Sequence, residues 1–162
     1  MDTGGVANAI LGGWQVSGIT QYQSGFPFTV RSGDYSNSGS NNPRPDRTCF
    51  GNGHKTVEAW FDTSCFTVAA LQADQLAGNF RFGDSGRNIL SGPGLNNWDF
   101  NLMKRFQVSE RFNTEFRFEM YNMWNHPNFG NPGTRVESPK TLGIITSAGP
   151  SREIQFALKL SF

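Results

Sequence analysis

Three stretches of this chain alternate apolar and polar residues with period two, the pattern of strands that have one greasy face and one wet face. From Trp98 to Val108 the even positions are Trp98, Phe100, Leu102, Lys104, Phe106 and Val108, against Asp99, Asn101, Met103, Arg105 and Gln107. Lys104 is the misfit. From Phe112 to Trp124 the even side reads Phe112, Thr114, Phe116, Phe118, Met120, Asn122 and Trp124, and the odd side Asn113, Glu115, Arg117, Glu119, Tyr121 and Met123. From Arg152 to the end, Ile154, Phe156, Leu158, Leu160 and Phe162 oppose Glu153, Gln155, Ala157, Lys159 and Ser161. A fourth segment sets Trp14, Val16, Gly18, Thr20 and Tyr22 against Gln15, Ser17, Ile19, Gln21 and Gln23. The expected strands are 13–25, 98–108, 112–125 and 152–162.

Ser109, Glu110 and Arg111 form the short turn between the second and third strands. Two long loops rich in Gly, Asn, Ser, Pro and Asp, 31–97 and 126–151, make the other connections. Loops of that length are uncommon in compact soluble domains and usually carry function. The order long, short, long matches a transmembrane β-barrel, with short turns on the periplasmic side and long loops outside. Aromatics near strand ends, Trp14, Trp98, Phe106, Phe112, Trp124 and Phe162, sit where interfacial girdles belong. Alternation by itself also fits a soluble β-sandwich whose apolar face packs on a second sheet. The charges on the polar sides suit a wet lumen where opposite signs pair across strands, and the apolar sides need lipid or another sheet to cover them. The expected class is all-β: an antiparallel transmembrane β-barrel fragment of about four strands with two long extracellular loops.

Composition trims the alternatives. The 162 residues are about one domain's worth, with 36% hydrophobic, 14% aromatic and 17% charged residues, so the chain is neither disordered nor an ordinary helical bundle. A formal net charge of +1 gives no electrostatic case for nucleic acid. No run approaches the roughly 18 apolar residues of a membrane-spanning helix, a test to which β-spans are nearly invisible. The N-terminus lacks a secretion signal, so an exported protein of this sequence is expected to have a front end beyond Met1.

The run Phe82-Gly83-Asp84-Ser85-Gly86-Arg87-Asn88-Ile89-Leu90-Ser91-Gly92-Pro93-Gly94-Leu95-Asn96-Asn97-Trp98-Asp99 resembles a stretch of TonB-dependent outer-membrane receptors of the Oar-like, carboxypeptidase-regulatory-domain-bearing kind. Phe116 to Gly130 and the closing strand Arg152 to Phe162 resemble later segments of the same family, in the same order, and Leu11 to Gln15 and Gly25 to Thr29 are typical of it. The resemblance implies the C-terminal part of a larger receptor in the bacterial outer membrane. That receptor is expected to form a barrel of about 22 strands around an N-terminal plug. Four strands cannot close a barrel, and the smallest single-chain barrels use eight. The function implied is uptake of a bulky ligand, with TonB engaged only through the missing plug. A soluble, exported β-rich carbohydrate-binding or adhesion module is the alternative.

Phe156, Leu158, Leu160 and Phe162 match the terminal signal that barrel assembly machinery reads in outer-membrane proteins, by strand addition to a waiting edge. Outer-membrane lipid is the other partner implied. Cys49 and Cys65 are an even cysteine count in an exported loop, which predicts a disulfide. There is no CxxC, and His54 and His126 lie in different loops, so no metal site is expected. Tyr35, Trp60 and Phe61, beside Asp34, Asn37, Asn41, Asn42 and Asp46, are residue types that suit sugar, peptide or calcium recognition, although no known loop spacing is met. The same composition serves solvated turns. Gly92-Pro93-Gly94 precedes a strand and lacks the Lys and helix of a phosphate loop. No nucleophile, base and orienting acid assemble, so neither an enzyme nor a cofactor is expected.

Overall fold

Period-two patterning becomes a four-stranded antiparallel sheet in the structure, a computed structural model that describes residues 10–107 and 112–161. Five of its eight strands and one helix are needed here: β1 (Trp14–Gln23), the helix α1 (Ala69–Leu76), β5 (Leu90–Ser91), β6 (Leu95–Gln107), β7 (Asn113–Tyr121) and β8 (Glu153–Ser161). The three remaining strands, β2 (Pro27–Phe28), β3 (Asp46–Arg47) and β4 (Phe66–Thr67), are short. The large sheet runs β1-β6-β7-β8. The turn Ser109–Arg111, Val108 and Phe162 lie outside the described residues.

Register decides whether alternation on single strands adds up to faces, because a slip of one residue sends every side chain to the opposite side. Here Val16 pairs with Leu102, Leu102 with Phe118, and Phe118 with Phe156, one unbroken apolar row across four strands. The neighbouring row reads Ser17, Asn101, Glu119 and Gln155. The apolar face is open: Val16 is 63% exposed, Phe156 67% and Leu158 65%. Phe156 stacks obliquely on Phe118 at 5.0 Å and Phe116 at 6.3 Å between ring centroids, so the face is a continuous aromatic layer. A soluble sandwich would bury these rings, and the structure does not.

Strand limits differ from the alternation in physically intelligible ways. β7 stops at Tyr121 because Asn122 and Asn125 take left-handed φ values of 48° and 52°, which a continuing strand cannot accommodate. β6 starts at Leu95, earlier than expected, because β1 pairs with it down to Gln23 opposite Leu95.

The long connections are not irregular chain. Ser24–Gly94 and Phe129–Gly149 form a second compact unit, distinct from the unit that holds the large sheet. Its core is Phe28, Val30, Phe61, Cys65, Phe66 and Leu90, and Val136 and Leu142 from the second connection pack against it. Phe61 sits at the centre, 5.7 Å from both Phe28 and Phe66. Each such fully buried side chain contributes about 1.5–3 kcal/mol. The isolated bridge Arg31 to Arg135 ties the two connections together, and the bridge Gly133 to Leu142 closes the second one on itself. Gly83 is needed where the chain crosses: a Cβ there would lie 2.1 Å from the Arg44 carbonyl oxygen.

Candidate functional site

On the polar face, charge is ordered along the strands. Asp99, Glu119 and Glu153 lie toward the end of the sheet where β6 begins, and Arg105, Arg117 and Lys159 toward the end where β6 finishes. Glu115 sits among the cations, its two oxygens accepting from Arg105 Nε at 2.8 Å and from Arg117 Nε at 2.5 Å, while β8 sets Lys159 opposite it. Asn101 Nδ2 donates to Glu119 at 2.9 Å. Such side-chain ladders replace bulk water as partners for charges that line a narrow wet space. Ser17, Ile19, Asp99, Asn101, Glu119 and Tyr121 border a groove of about 370 Å³.

The misfit Lys104 is resolved by position. It projects with the apolar side chains, but its Nζ turns to the chain entering β1, donating to the carbonyl oxygens of Ile10 at 2.9 Å and Gly12 at 3.1 Å. It also lies 4.5 Å from the centre of the Trp14 ring. An ammonium at a strand end, satisfied by carbonyls and an aromatic face, is how a lysine reaches the polar edge of an apolar belt. At the opposite end Trp98 and Trp124 meet edge to face at 6.5 Å.

The two motifs around Trp98 and Trp124 form one joint. Asp99 Oδ1 accepts from Asn97 Nδ2 at 2.9 Å and from the Asn122 backbone N–H at 3.0 Å. The Trp98 carbonyl accepts from Met123 N–H at 2.7 Å, and Asn128 Oδ1 from Asn96 N–H at 2.9 Å. Buried Asn122 donates through Nδ2 to the His126 and Pro150 carbonyls and accepts from His126 N–H. These amides clamp the ends of β6 and β7 to the start of β8, a structural role.

In the connection unit, Cys49 and Cys65 are joined by a disulfide with Cα atoms 4.9 Å apart. Asp62 lies beside them, its carboxylate within 4.8 Å of both sulfurs, but the sulfurs are bonded to each other and Asp62 accepts from the Ser64 amide and hydroxyl. Those bonds hold its carboxyl below the usual range, as the Ser36 hydroxyl does first for Asp34. Arg81 grips Asp46 with two bonds of 2.8 Å and reaches Asp74 as well, lowering the Asp46 pKa and raising its own.

The aromatic candidates from the sequence are drawn into structure. Phe61 is 2% exposed in the core. Trp60 packs against that core and donates from Nε1 to the Ser91 carbonyl at 2.8 Å. The Tyr35 hydroxyl donates to Glu137 and accepts from Gln72 Nε2, and partial burial leads in pushing its pKa up. Asn37 and Asp34 form a tight turn in which Asp34 accepts from the Ser36 and Gly39 amides. Phe26, Phe50, Phe80 and Phe82 are among the open rings, and no pattern in the sequence separates them from the buried ones.

A sheet with an exposed layer of Phe, Leu, Ile and Trp on one side and paired charges on the other is a section of membrane-spanning β-barrel wall. The family model described as "Outer membrane beta barrel domain" matches residues 1–155, and the chain belongs to that family, located in the bacterial outer membrane. No curated protein and no solved structure matches it.

Proposed function

We propose that this chain is the C-terminal part of a TonB-dependent, Oar-like receptor that takes up a bulky ligand across the outer membrane. The observation that carries the reading is the pairing of a barrel wall with connections that fold into a unit of their own, with a separate core and disulfide. Connections of that size suit ligand capture outside the cell, and the charged polar face suits a wet lumen. The chain's partners are then outer-membrane lipid and the barrel assembly machinery, which reads Phe156, Leu158, Leu160 and Phe162. TonB engages a plug encoded elsewhere in the receptor. No catalysis, cofactor or nucleic acid belongs to this reading. Sequencing the DNA upstream of Met1 tests it: an open frame continuing into a plug domain is expected, and a stop codon with its own start signals there would overturn it. A second test deletes Phe162 from the receptor, which is expected to lower its level in the outer membrane.

A further inference from the structure

Sequence spacing offers the two cysteines no metal-binding companion, but the fold supplies one. Asp62 caps the short 3-10 turn Thr63–Cys65, which brings its carboxylate to the sulfurs, and the ligand atoms of Cys49, Asp62 and Cys65 all lie within 4.8 Å of one another. Ser64 binds one carboxylate oxygen, Oδ1, through both its amide and its hydroxyl, which fixes the direction of the group. The two sulfurs differ in access. Cys65 is 2% exposed in the core, whereas Cys49 is open and lines a pocket of about 290 Å³ with Arg47, Thr48 and Phe50. Arg47 donates from Nε to the Cys49 carbonyl at 2.6 Å and lies 5.5 Å over the Phe50 ring, so a fixed cation flanks the open sulfur and favours the approach of a thiolate.

We infer that this corner is a redox-gated metal site: oxidised it is a cross-link, and reduced it binds one divalent ion of the zinc class through Cys49, Cys65 and Asp62, with water in the fourth position. Opening needs a small thiol reductant. Its thiolate attacks the exposed Cys49 sulfur, and the Cys65 sulfur departs with the bonding pair. A second thiol of the reductant then displaces the first, leaving two protein thiols and the reductant as its own disulfide. Loading the ion releases the two thiol protons to water. Two thiolates and a carboxylate gather three negative charges in one place, which a divalent ion stabilises. Tetrahedral bonds of about 2.3 Å to sulfur set the sulfurs about 3.8 Å apart, a separation that turning the open Cys49 side chain provides while buried Cys65 stays in place. Both states tie residue 49 to residue 65, so the ion takes over the task of the cross-link under reducing conditions. The inference goes beyond the receptor reading and does not depend on it.

The oxidised 162-residue chain in detergent micelles is opened with a phosphine, which becomes the phosphine oxide as water supplies its oxygen and the two thiol protons, and the phosphine is then removed. Cadmium, a surrogate for zinc, is titrated in and its sulfur-to-metal charge-transfer absorption followed. One ion per chain is expected, displaced by zinc, with no such absorption from the chain left oxidised. Asp62→Asn, which still accepts from Ser64, is expected to form the disulfide normally and to bind the ion at least about tenfold more weakly. Hydrogen exchange gives a second reading. The Thr48 N–H, bonded to the Cys65 carbonyl at 2.9 Å, is expected to exchange fast in the reduced, metal-free chain and to regain its protection when zinc is added. Absence of the absorption, an affinity unchanged in Asp62→Asn, or a Thr48 amide that exchanges alike with and without zinc would each overturn the inference.

Discussion

Removing the Cys49 to Cys65 bond is expected to loosen the connection unit and leave the sheet unchanged. The disulfide closes a segment of 16 residues, for which the chain-entropy relation gives about 3 kcal/mol, or on the order of a hundredfold in the ratio of closed to open forms. The loss concentrates where the bond lies, because Cys65 is packed among Phe28, Phe61, Phe66 and Leu90 and its carbonyl accepts from Thr48 N–H at 2.9 Å. Hydrogen exchange on the oxidised protein and on the Cys49→Ala/Cys65→Ala double variant reads this directly. The amides of Thr48, Arg31 and Val136, each bonded to backbone within that unit, are expected to exchange up to about a hundredfold faster. Arg105 N–H, bonded to Gly13 in the sheet unit, is expected to keep its protection. Equal protection at Thr48, Arg31 and Val136 in the two forms would refute the reasoning.

Three further outcomes follow from particular contacts. Lys104→Leu is expected to change stability by less than about 1 kcal/mol, whereas Leu102→Lys, which moves the charge toward mid-strand, costs about 2 kcal/mol or more; urea titration in lipid vesicles compares them. Gly83→Ala forces a Cβ against the Arg44 carbonyl and is expected to lower the melting temperature of the connection unit, measured by the near-ultraviolet signal of its aromatic rings. Asp46 titrates below its ordinary 3.8 because Arg81 binds its carboxylate, so its contribution is complete above that value and lost as pH falls through the folded-state one. Acid unfolding of the native unit below pH 4 is therefore expected to flatten in Arg81→Gln, and an unchanged acid limb counts against the pairing.

The sheet was legible because one physical constraint, opposite solvents on opposite faces, writes itself into every second residue of β6, β7 and β8. β1 was fainter because Gly18 and Thr20 dilute its apolar side and Ile19 stands on the polar one. The connection unit was not legible. Phe28, Val30, Phe61, Phe66 and Leu90 come from distant positions with no common period, set in Gly- and Asn-rich sequence whose local signal is that of solvated turns. The helix α1 had a local signal, the good helix formers of AALQADQL, submerged in the length of the loop around it. Trp60 and Phe61 show the same limit: aromatic side chains suited to a ligand are equally suited to a core, and only the fold distinguishes the two uses.

The central claim is that even-numbered side chains of the sheet meet hydrocarbon and odd-numbered ones meet water. Spin labels placed in turn at Asn101, Leu102, Glu119, Phe118, Gln155 and Phe156 in vesicles, read for collision with oxygen against a water-soluble nickel complex, test it most directly. High oxygen and low nickel contact at Leu102, Phe118 and Phe156, with the reverse at Asn101, Glu119 and Gln155, is the expected result. Accessibility that does not alternate between these neighbours would contradict it.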